Sequence, residues 1–164
     1  MKKPLTILSL AFILLTSAFV ASTLADTVKF PADKPFASIT FPEGWEATVK
    51  GDTIAAKSEE GDVLIDVIVT RPDMLGPSND KAFALLKVKP DFDSYKDTKT
   101  TINGMPAVQV TVDVKDSSGA AMKLILTSIE ITKDKGVMFI QRGKGMEENN
   151  EAVTAMIKSV AAEK

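Results

Sequence analysis

The chain has 164 residues, with 20 Lys and Arg against 22 Asp and Glu, a formal net charge of −2, and neither His nor Cys. Its length is that of one ordinary globular domain. The absence of His and Cys excludes Ser-His-Asp triads, Cys nucleophiles, disulfides and the usual zinc sites. The mildly acidic, dispersed charge also argues against nucleic-acid binding, which requires clustered Lys and Arg.

Residues 1–25 have the layout of a secretory signal peptide. Two lysines precede an apolar run at 5–20, and Thr23 and Ala25 supply small residues at the −3 and −1 positions of a cleavage site. The alternative is an uncleaved anchor, because the uncharged stretch is about long enough to span a bilayer. The small residues and the early position favour cleavage.

Cleavage after residue 25 would remove two of the basic residues and no acidic residue, which brings the net charge to −4. A bacterial lipoprotein needs a Cys at its cleavage point, and this chain has no Cys. The sequence therefore predicts a protein of the periplasm or the extracellular space, with no stable membrane anchor after cleavage. It leaves the oligomeric state open.

The first half of the remaining chain has the pattern of a series of short strands. Strict alternation predicts a strand at Phe36–Phe41, followed by a type I turn with Pro42 in its second position and Gly44 in its fourth. Trp45, the only Trp, is expected to cover one edge of the core; the alternative is a platform for a ligand. Further strands are predicted at 27–30, 46–49, 53–58 and 62–70.

Asp66 interrupts the strand at 62–70, which is apolar on both faces and so predicts a sheet covered on both sides. A buried carboxylate needs a partner, and Lys123 and Arg142 are the candidates. Two interpretations remain open. Asp66 forms a structural ion pair, or Asp66, Arg142 and Trp45 contribute to binding a ligand or a partner.

The second half alternates between helices and antiparallel hairpins. Ser78 is expected to cap a helix at 79–88 whose inner residues are Ala82, Leu85 and Leu86. Asn103-Gly104 predicts a type I′ turn. The remaining elements are a polar connection at 91–97, strands at 98–102 and 107–114, a hairpin of 122–132 with 136–142, and a helix at 146–161. This order predicts an α+β domain with a mainly antiparallel sheet and helices on its faces.

Three landmarks carry a resemblance to a known family: Phe-Ala-Ser-Ile-Thr-Phe-Pro-Glu-Gly-Trp at 36–45, Ile-Asn-Gly-Met-Pro-Ala at 102–107, and Glu-Ala-Val-Thr-Ala-Met-Ile-Lys-Ser-Val at 151–160. In this order the landmarks resemble the PsbP-like (Mog/PsbP) fold, and in particular small exported bacterial proteins related to DcrB. The resemblance implies an α/β/α sandwich around an antiparallel sheet, with 26–164 as a single PsbP-like domain. The roles described for that superfamily are accessory, in stabilising a photosystem's water-oxidising site or in binding a small GTPase. Nothing in this chain matches either role residue by residue, and the lipobox Cys of the DcrB-type lipoproteins is missing.

Three carboxylates in the polar stretch offer oxygen ligands of the kind that Ca²⁺ or Mn²⁺ prefers: Asp91, Asp93 and Asp97. No Gly stands at the sharp-turn position and no bidentate Glu follows at EF-hand spacing, so the competing interpretation is a solvated loop. Arg142-Gly143-Lys144-Gly145 has the composition of an anion-binding nest without the phosphate-loop motif. The favoured interpretation is a flexible lead-in to the last helix.

Together, these observations predict an exported, non-enzymatic binding or accessory protein of the cell envelope, without a cofactor. It would engage an envelope protein through a sheet edge or a helix-flanked groove. The alternative is a protein that binds a small ligand or a metal ion. A carboxylate-based or Ser-Lys hydrolase has no supporting spacing in the sequence.

Overall fold

The computed structural model describes residues 24–72, 75–143 and 150–163. Most of the predicted signal peptide and the beginning of the predicted last helix lie outside these residues. The elements, in chain order, are β1 (Leu24–Phe30), β2 (Ala37–Pro42), β3 (Glu46–Lys50), β4 (Thr53–Lys57), β5 (Val63–Thr70), α1 (Leu75–Leu86), β6 (Lys89–Ile102), β7 (Met105–Lys115), β8 (Ala121–Thr132), β9 (Lys135–Gly143), α2 (Asn150–Lys158) and β10 (Ala161–Ala162).

Seven strands form one antiparallel sheet in the order β3-β4-β5-β9-β8-β7-β6. Short turns connect most neighbouring strands, and the crossover from β5 through α1 to β6 carries the chain to the far edge of the sheet. A second sheet has the order β1-β2-β10 and is also antiparallel. The predicted α+β architecture with a mainly antiparallel sheet is confirmed.

The large sheet is covered on both faces, as the two-sided apolar strands predicted. Alternation places Val63, Ile65 and Val67 of β5 in one hydrophobic cluster and Ile68 in the other. Neighbouring β9 divides in the same way, with Phe139 on one face and Met138 on the other. Since these side chains are buried on both sides, β5 and β9 are central strands.

One face, here called the α2 face, packs against α2 and the three-stranded sheet. Phe30 and Phe41 come from the small sheet, Met156 comes from α2, and each is at most 1% exposed. They meet Phe139 of the large sheet, which is fully buried. The amphipathic α2 therefore contributes its apolar stripe to a core built mainly from strands.

The opposite face, here called the α1 face, packs against α1. Ala82 and Phe83 lie on Val112, Leu124 and other apolar residues of β5, β7, β8 and β9. Leu85, which was expected to point inward, is 48% exposed, whereas Phe83 is only 5% exposed. The helix thus presents its larger aromatic side chain to the sheet, and the predicted inner stripe was wrong at this position.

The start of α1 also differs from the prediction. The helix begins at Leu75, and Pro77 lies in its first turn, where proline is tolerated because the N–H groups there have no partner within the helix. Ser78 is therefore not the cap. It lies inside the helix and donates a hydrogen bond to Thr70 Oγ1 at 3.0 Å. No helix in the described ranges is both long and apolar enough to cross a membrane.

The turn after β2 begins one residue later than predicted. The N–H of Trp45 donates to the carbonyl of Pro42 at 3.2 Å, so Pro42 is the first residue of the turn and Gly44 the third. Gly44 has φ of +79°, which is the conformation that a type II turn requires at this position. By contrast, Asn103 and Gly104 both have positive φ, as the predicted type I′ turn demands.

Residues 91–97, predicted to be a connection, belong to β6. The register against β7 shifts between Asp91 and Lys96. Within this irregularity the Ser94 hydroxyl donates to the Asp91 carbonyl at 2.7 Å and accepts the N–H of Asp113 at 2.8 Å. A polar side chain thus bridges the two strands where the regular ladder is interrupted, which is why the segment lacks the alternation of a strand.

Candidate functional site

Asp66 and Arg142 lie together on the α1 face, near the β3 end of the sheet. Asp66 is opposite Ile140, and Arg142 is opposite Leu64, so the two charged residues are diagonal neighbours on adjacent strands. Arg142 Nη2 donates to Asp66 Oδ2 at 3.1 Å. The Asp66 side chain is 12% exposed and that of Arg142 30%. Of the two partners that the sequence offered, the structure selects Arg142.

The pair forms part of a polar recess of about 220 Å³, here called the Asp66 recess. A second ion pair borders it, with Lys57 Nζ 2.9 Å from Glu46 Oε2. The recess is lined by Glu46, Thr48, Ala55, Ala56, Lys57, Leu64, Asp66 and Arg142. Among the described residues, none from α1 lines this recess.

One donor in the Asp66 recess has no acceptor. The Nε atom of Arg142 is buried and makes no hydrogen bond in the described structure. A buried donor without an acceptor is unfavourable, and an anionic group bound beside the guanidinium would satisfy it. The recess therefore offers one unused hydrogen-bond donor beside a positive charge.

Trp45 does not join this site. It is partly buried and packs against the cluster on the α2 face, whereas Asp66 and Arg142 lie on the α1 face. Its next neighbour, Glu46, does line the Asp66 recess. The structure therefore separates Trp45 from the other two residues with which the sequence grouped it.

The three predicted metal ligands are not brought together. Asp91 is opposite Asp113 and Asp97 is opposite Val110, positions that point to opposite faces of β7. Asp91 Oδ1 instead accepts the N–H of Asp93 at 3.1 Å, which stabilises the local turn. Across residues 24–72, 75–143 and 150–163, no group of three or more potential His, Cys, Asp or Glu ligands is found.

An aromatic recess of about 380 Å³ lies between α1 and the irregular part of β6. Phe92 is 67% exposed there, and the hydroxyl of Tyr95 accepts a hydrogen bond from Asn79 Nδ2 at 2.9 Å. Burial raises the pKa of Tyr95 above its usual value of 10.0, and the negative charge of Asp97 adds to the rise. Tyr95 is therefore a neutral hydrogen-bonding group in this recess.

A third concave surface, here called the β6 groove, has a volume of about 260 Å³ on the α1 face. It begins at Lys99 and Thr100 of edge strand β6 and crosses β7 and β8. Its full lining is Thr70, Pro72, Lys99, Thr100, Pro106, Ala107, Val108, Ser128, Ile129, Glu130 and Gly136. Sequence reasoning did not find it, because residues from five strands meet there only after the sheet has formed.

No family model and no curated protein sequence matches the chain. Among solved structures, the solution structure of cyanobacterial PsbP (CyanoP) from Synechocystis sp. PCC 6803 superposes with a TM-score of 0.55 at 12% identity, over 87% of this chain and 96% of that one. LpqN, involved in cell envelope biogenesis of Mycobacterium tuberculosis, gives a TM-score of 0.50 at 12% identity, over 85% and 91%. A protein from Bacteroides thetaiotaomicron VPI-5482 gives 0.52 at 11% identity, over 79% of this chain and 46% of that one. The chain therefore has a PsbP-like fold, as the sequence landmarks indicated.

Proposed function

We propose that this protein is an exported accessory protein of the cell envelope that acts by binding another envelope protein, and not by catalysis. The observation that carries the proposal is the likeness to cyanobacterial PsbP and to LpqN, which extends over nearly the whole length of both proteins. LpqN is itself involved in cell envelope biogenesis. The lack of His and Cys, which removes the Cys nucleophile and the commonest general base, is consistent with a role in binding.

The N-terminal strand is compatible with export by cleavage after Ala25. The pairing of β1 with β2 is regular from Asp26 to Phe30, and the register shifts between Leu24 and Asp26. Cleavage at the predicted site would therefore leave the regular part of the strand intact.

Native mass spectrometry on the chain purified from the envelope fraction of its own host tests the export. We expect a species that begins at Asp26 and lacks residues 1–25. The matched control is Ala25→Leu, which places a large residue at the −1 position and should leave the signal unprocessed. An uncleaved wild-type chain, or one confined to the cytoplasm, would contradict the proposal.

The same preparation tests the binding role. Crosslinking in intact cells, followed by purification under denaturing conditions, should recover one envelope protein in a saturable amount. A chain that is exported but crosslinks to no protein above background would refute the accessory role while leaving the export intact.

A second candidate function, binding of a small anion, is favoured by the unsatisfied Nε of Arg142 in the Asp66 recess. Titration with acetate and succinate, followed by the NMR signal of that N–H, provides the test. The backbone amides of Ala55 and Leu64, which line the recess, supply a readout that Arg142→Lys retains. A saturable shift of the Nε–H signal, accompanied by shifts of these amides that Arg142→Lys abolishes, would support the anion site, and signals unaffected by either acid would exclude it for these ligands.

A further inference from the structure

The outer edge of β6 is a long surface for strand pairing. β6 has 14 residues and is the last strand of the seven-stranded sheet. Within the described residues it pairs only with β7. From Lys96 to Ile102 the pairing with β7 proceeds residue by residue without irregularity. An edge of this kind presents a row of free N–H and C=O groups to a further strand.

The hairpin turn defines which backbone groups of β6 point outward. Asn103-Gly104 is a two-residue type I′ turn, so the flanking pair Ile102 and Met105 exchange both backbone hydrogen bonds. Along β6, the backbone N–H and C=O groups of successive residues point alternately toward β7 and away from it. The N–H and C=O groups of Asp97, Lys99 and Thr101 therefore point away from β7.

The β6 groove begins at this same edge. Lys99 and Thr100 form its near end, and Pro106 and Val108 of β7 continue it inward. A strand added beside β6 would lie about 4.8 Å from β6 and about 10 Å from β7. Only a long apolar side chain that extends over β6 on the α1 face would therefore reach Pro106 and Val108. Main-chain pairing and a side-chain pocket are thus placed side by side, which is the combination used in recognition by strand addition.

The charges along the edge of β6 indicate which kind of segment would bind there. Between Lys96 and Ile102 the edge carries two lysines and one carboxylate, with Lys99 and Asp97 on the α1 face and Lys96 on the α2 face. A further carboxylate, Glu130 of β8, lines the inner part of the groove, away from the edge. Neither lysine forms an ion pair with any residue in the described ranges. An acidic side chain opposite Lys99 would be a favourable cross-strand pair.

We propose that β6 binds an extended, acidic segment of a partner protein as an eighth strand, with one long apolar side chain of that segment in the β6 groove. This inference rests on the proposed binding function and identifies its surface and the chemistry of its partner. The groove and the outward groups of Asp97, Lys99 and Thr101 act together, because the groove selects the side chain while the backbone holds the segment extended.

A phage-displayed library of random linear decapeptides, selected against the full chain, supplies the probe. We expect enriched peptides to share an apolar residue with an acidic residue two positions away, since alternate residues of a strand point to the same face. Hydrogen exchange followed by NMR then locates the site. In the free chain the amides of Lys99 and Thr101 should exchange quickly and those of Thr98 and Thr100 slowly, and the synthetic peptide should protect Lys99 and Thr101.

Two variants separate the backbone contact from the side chains. Thr101→Pro removes an outward N–H without breaking the ladder to β7 and should weaken the selected peptide at least about tenfold. Thr101→Val keeps the N–H and serves as the matched control. Lys99→Glu should weaken an acidic peptide by about two- to fivefold. Thermal unfolding of each variant verifies that the fold is retained.

Several outcomes would overturn the proposal. They are the absence of enriched peptides, protection at residues outside β6, and equal affinity for Thr101→Pro and Thr101→Val. Concentration-dependent protection of Lys99 and Thr101 without peptide would assign the edge to a second copy of the chain instead. If Thr101→Pro still crosslinks to the envelope partner as the wild type does, the surface is wrong and the binding function stands. If the wild type crosslinks to nothing, the binding function itself fails.

Discussion

Two ion pairs on the same face differ in burial and provide a matched comparison. The Asp66–Arg142 pair is 12% and 30% exposed, whereas the Glu46–Lys57 pair is 74% and 50% exposed. Removing one partner of a buried pair leaves an uncompensated charge, while exposed pairs contribute little because water screens them. Burial, and not the number of ion pairs, should decide which of the two stabilises the protein.

We therefore expect Asp66→Ala to lower the free energy of unfolding by about 1–3 kcal/mol, and Glu46→Ala to lower it by less than about 1 kcal/mol. Urea unfolding of both variants, with Arg142→Ala and the double variant to complete a cycle, measures the difference. Equal losses for Asp66→Ala and Glu46→Ala would show that the Asp66–Arg142 pair is as well solvated as the exposed one.

Asn103 combines two roles at one position. It adopts φ of 51° in the turn between β6 and β7, and its Nδ2 donates to the carbonyls of Lys158 at 2.6 Å and Val160 at 2.9 Å. The Lys158 carbonyl lies at the end of α2, where the last carbonyls have no partner within the helix, and Val160 follows the helix by two residues. The side chain thus connects the hairpin turn of the large sheet to the helix on the α2 face.

Asn103→Gly keeps the turn and loses both hydrogen bonds, so we expect a loss of about 1–2 kcal/mol in the free energy of unfolding. Asn103→Ala should lose about 1 kcal/mol more, because alanine is strained at positive φ. Urea unfolding ranks the three chains. A glycine variant as stable as the wild type would show that the bonds to α2 contribute nothing.

Glu163 joins the chain's end to β1 through Lys29, whose Nζ lies 2.7 Å from Glu163 Oε2. The hydrogen bonds from Lys29 and Ser38 lower the pKa of Glu163 below its usual value of 4.5. The stabilisation is therefore present above pH 4.5 and is lost as the pH falls through the lower pKa of the folded state.

An NMR titration of the Glu163 carboxyl should have a midpoint below 4.5, and Lys29→Met should raise that midpoint. Lys133→Met, which removes a like charge from the turn between β8 and β9, is the control and should leave it unchanged. A midpoint that does not respond to Lys29→Met would mean that the ion pair does not persist in solution.

At the scale of elements, the hairpin of β8 and β9 depends on a close backbone approach at Gly136. A Cβ built at Gly136 would lie 2.6 Å from the carbonyl oxygen of Ile129, a backbone atom that cannot move independently of its strand. At Gly76 in α1, by contrast, a Cβ would have no atom within 4 Å. The same substitution should therefore have opposite effects in the two elements.

We expect Gly136→Ala to cost about 1–3 kcal/mol through the shift it imposes on β8 and β9. Gly76→Ala should be neutral or stabilise the protein by up to about 1 kcal/mol, because alanine loses less conformational entropy than glycine in a helix. Thermal unfolding of both variants measures the effects, and a Gly136→Ala variant as stable as the wild type would be inconsistent with this packing.

Local patterns predicted some elements well and others poorly. The alternation of β5 and β7 and the Asn103-Gly104 turn were predicted correctly, because these signals depend on neighbours in sequence. The predicted start of α1 was wrong because Ser78, taken as the cap, lies inside a helix that already begins at Leu75, with Pro77 in its first turn. The N-terminal half of β6 was missed because Ser94 bridges an irregular ladder that has no sequence periodicity.

At the scale of the whole molecule, the central sheet contributes residues to two hydrophobic clusters, one on each face. One side chain that can be followed by spectroscopy packs against each cluster. Trp45, the only Trp, packs against the α2-face cluster, and Tyr95, the only Tyr, packs against the α1-face cluster. Because β5 and β9 contribute to both clusters, the two faces should lose their structure together.

Trp45 fluorescence and the near-ultraviolet signal of Tyr95 should therefore follow one urea transition. Phe139→Ala, which changes only the α2 face, should lower the free energy of unfolding by about 3–5 kcal/mol and shift both signals equally. A transition in which the Trp45 signal moves alone would show that the faces unfold independently.

Local sequence patterns were sufficient to predict the two-sided burial of the central strands, most hairpins and the resemblance to the PsbP-like fold, because alternation and turn chemistry act over a few residues. The folded sheet, in contrast, is what pairs Asp66 with Arg142, 76 residues away, and places Trp45 on the opposite face. It also placed Asp91 and Asp97 toward opposite faces of the sheet, and made β6 an edge strand beside a groove. These are properties of strand order and register, which depend on how distant segments meet in the sheet.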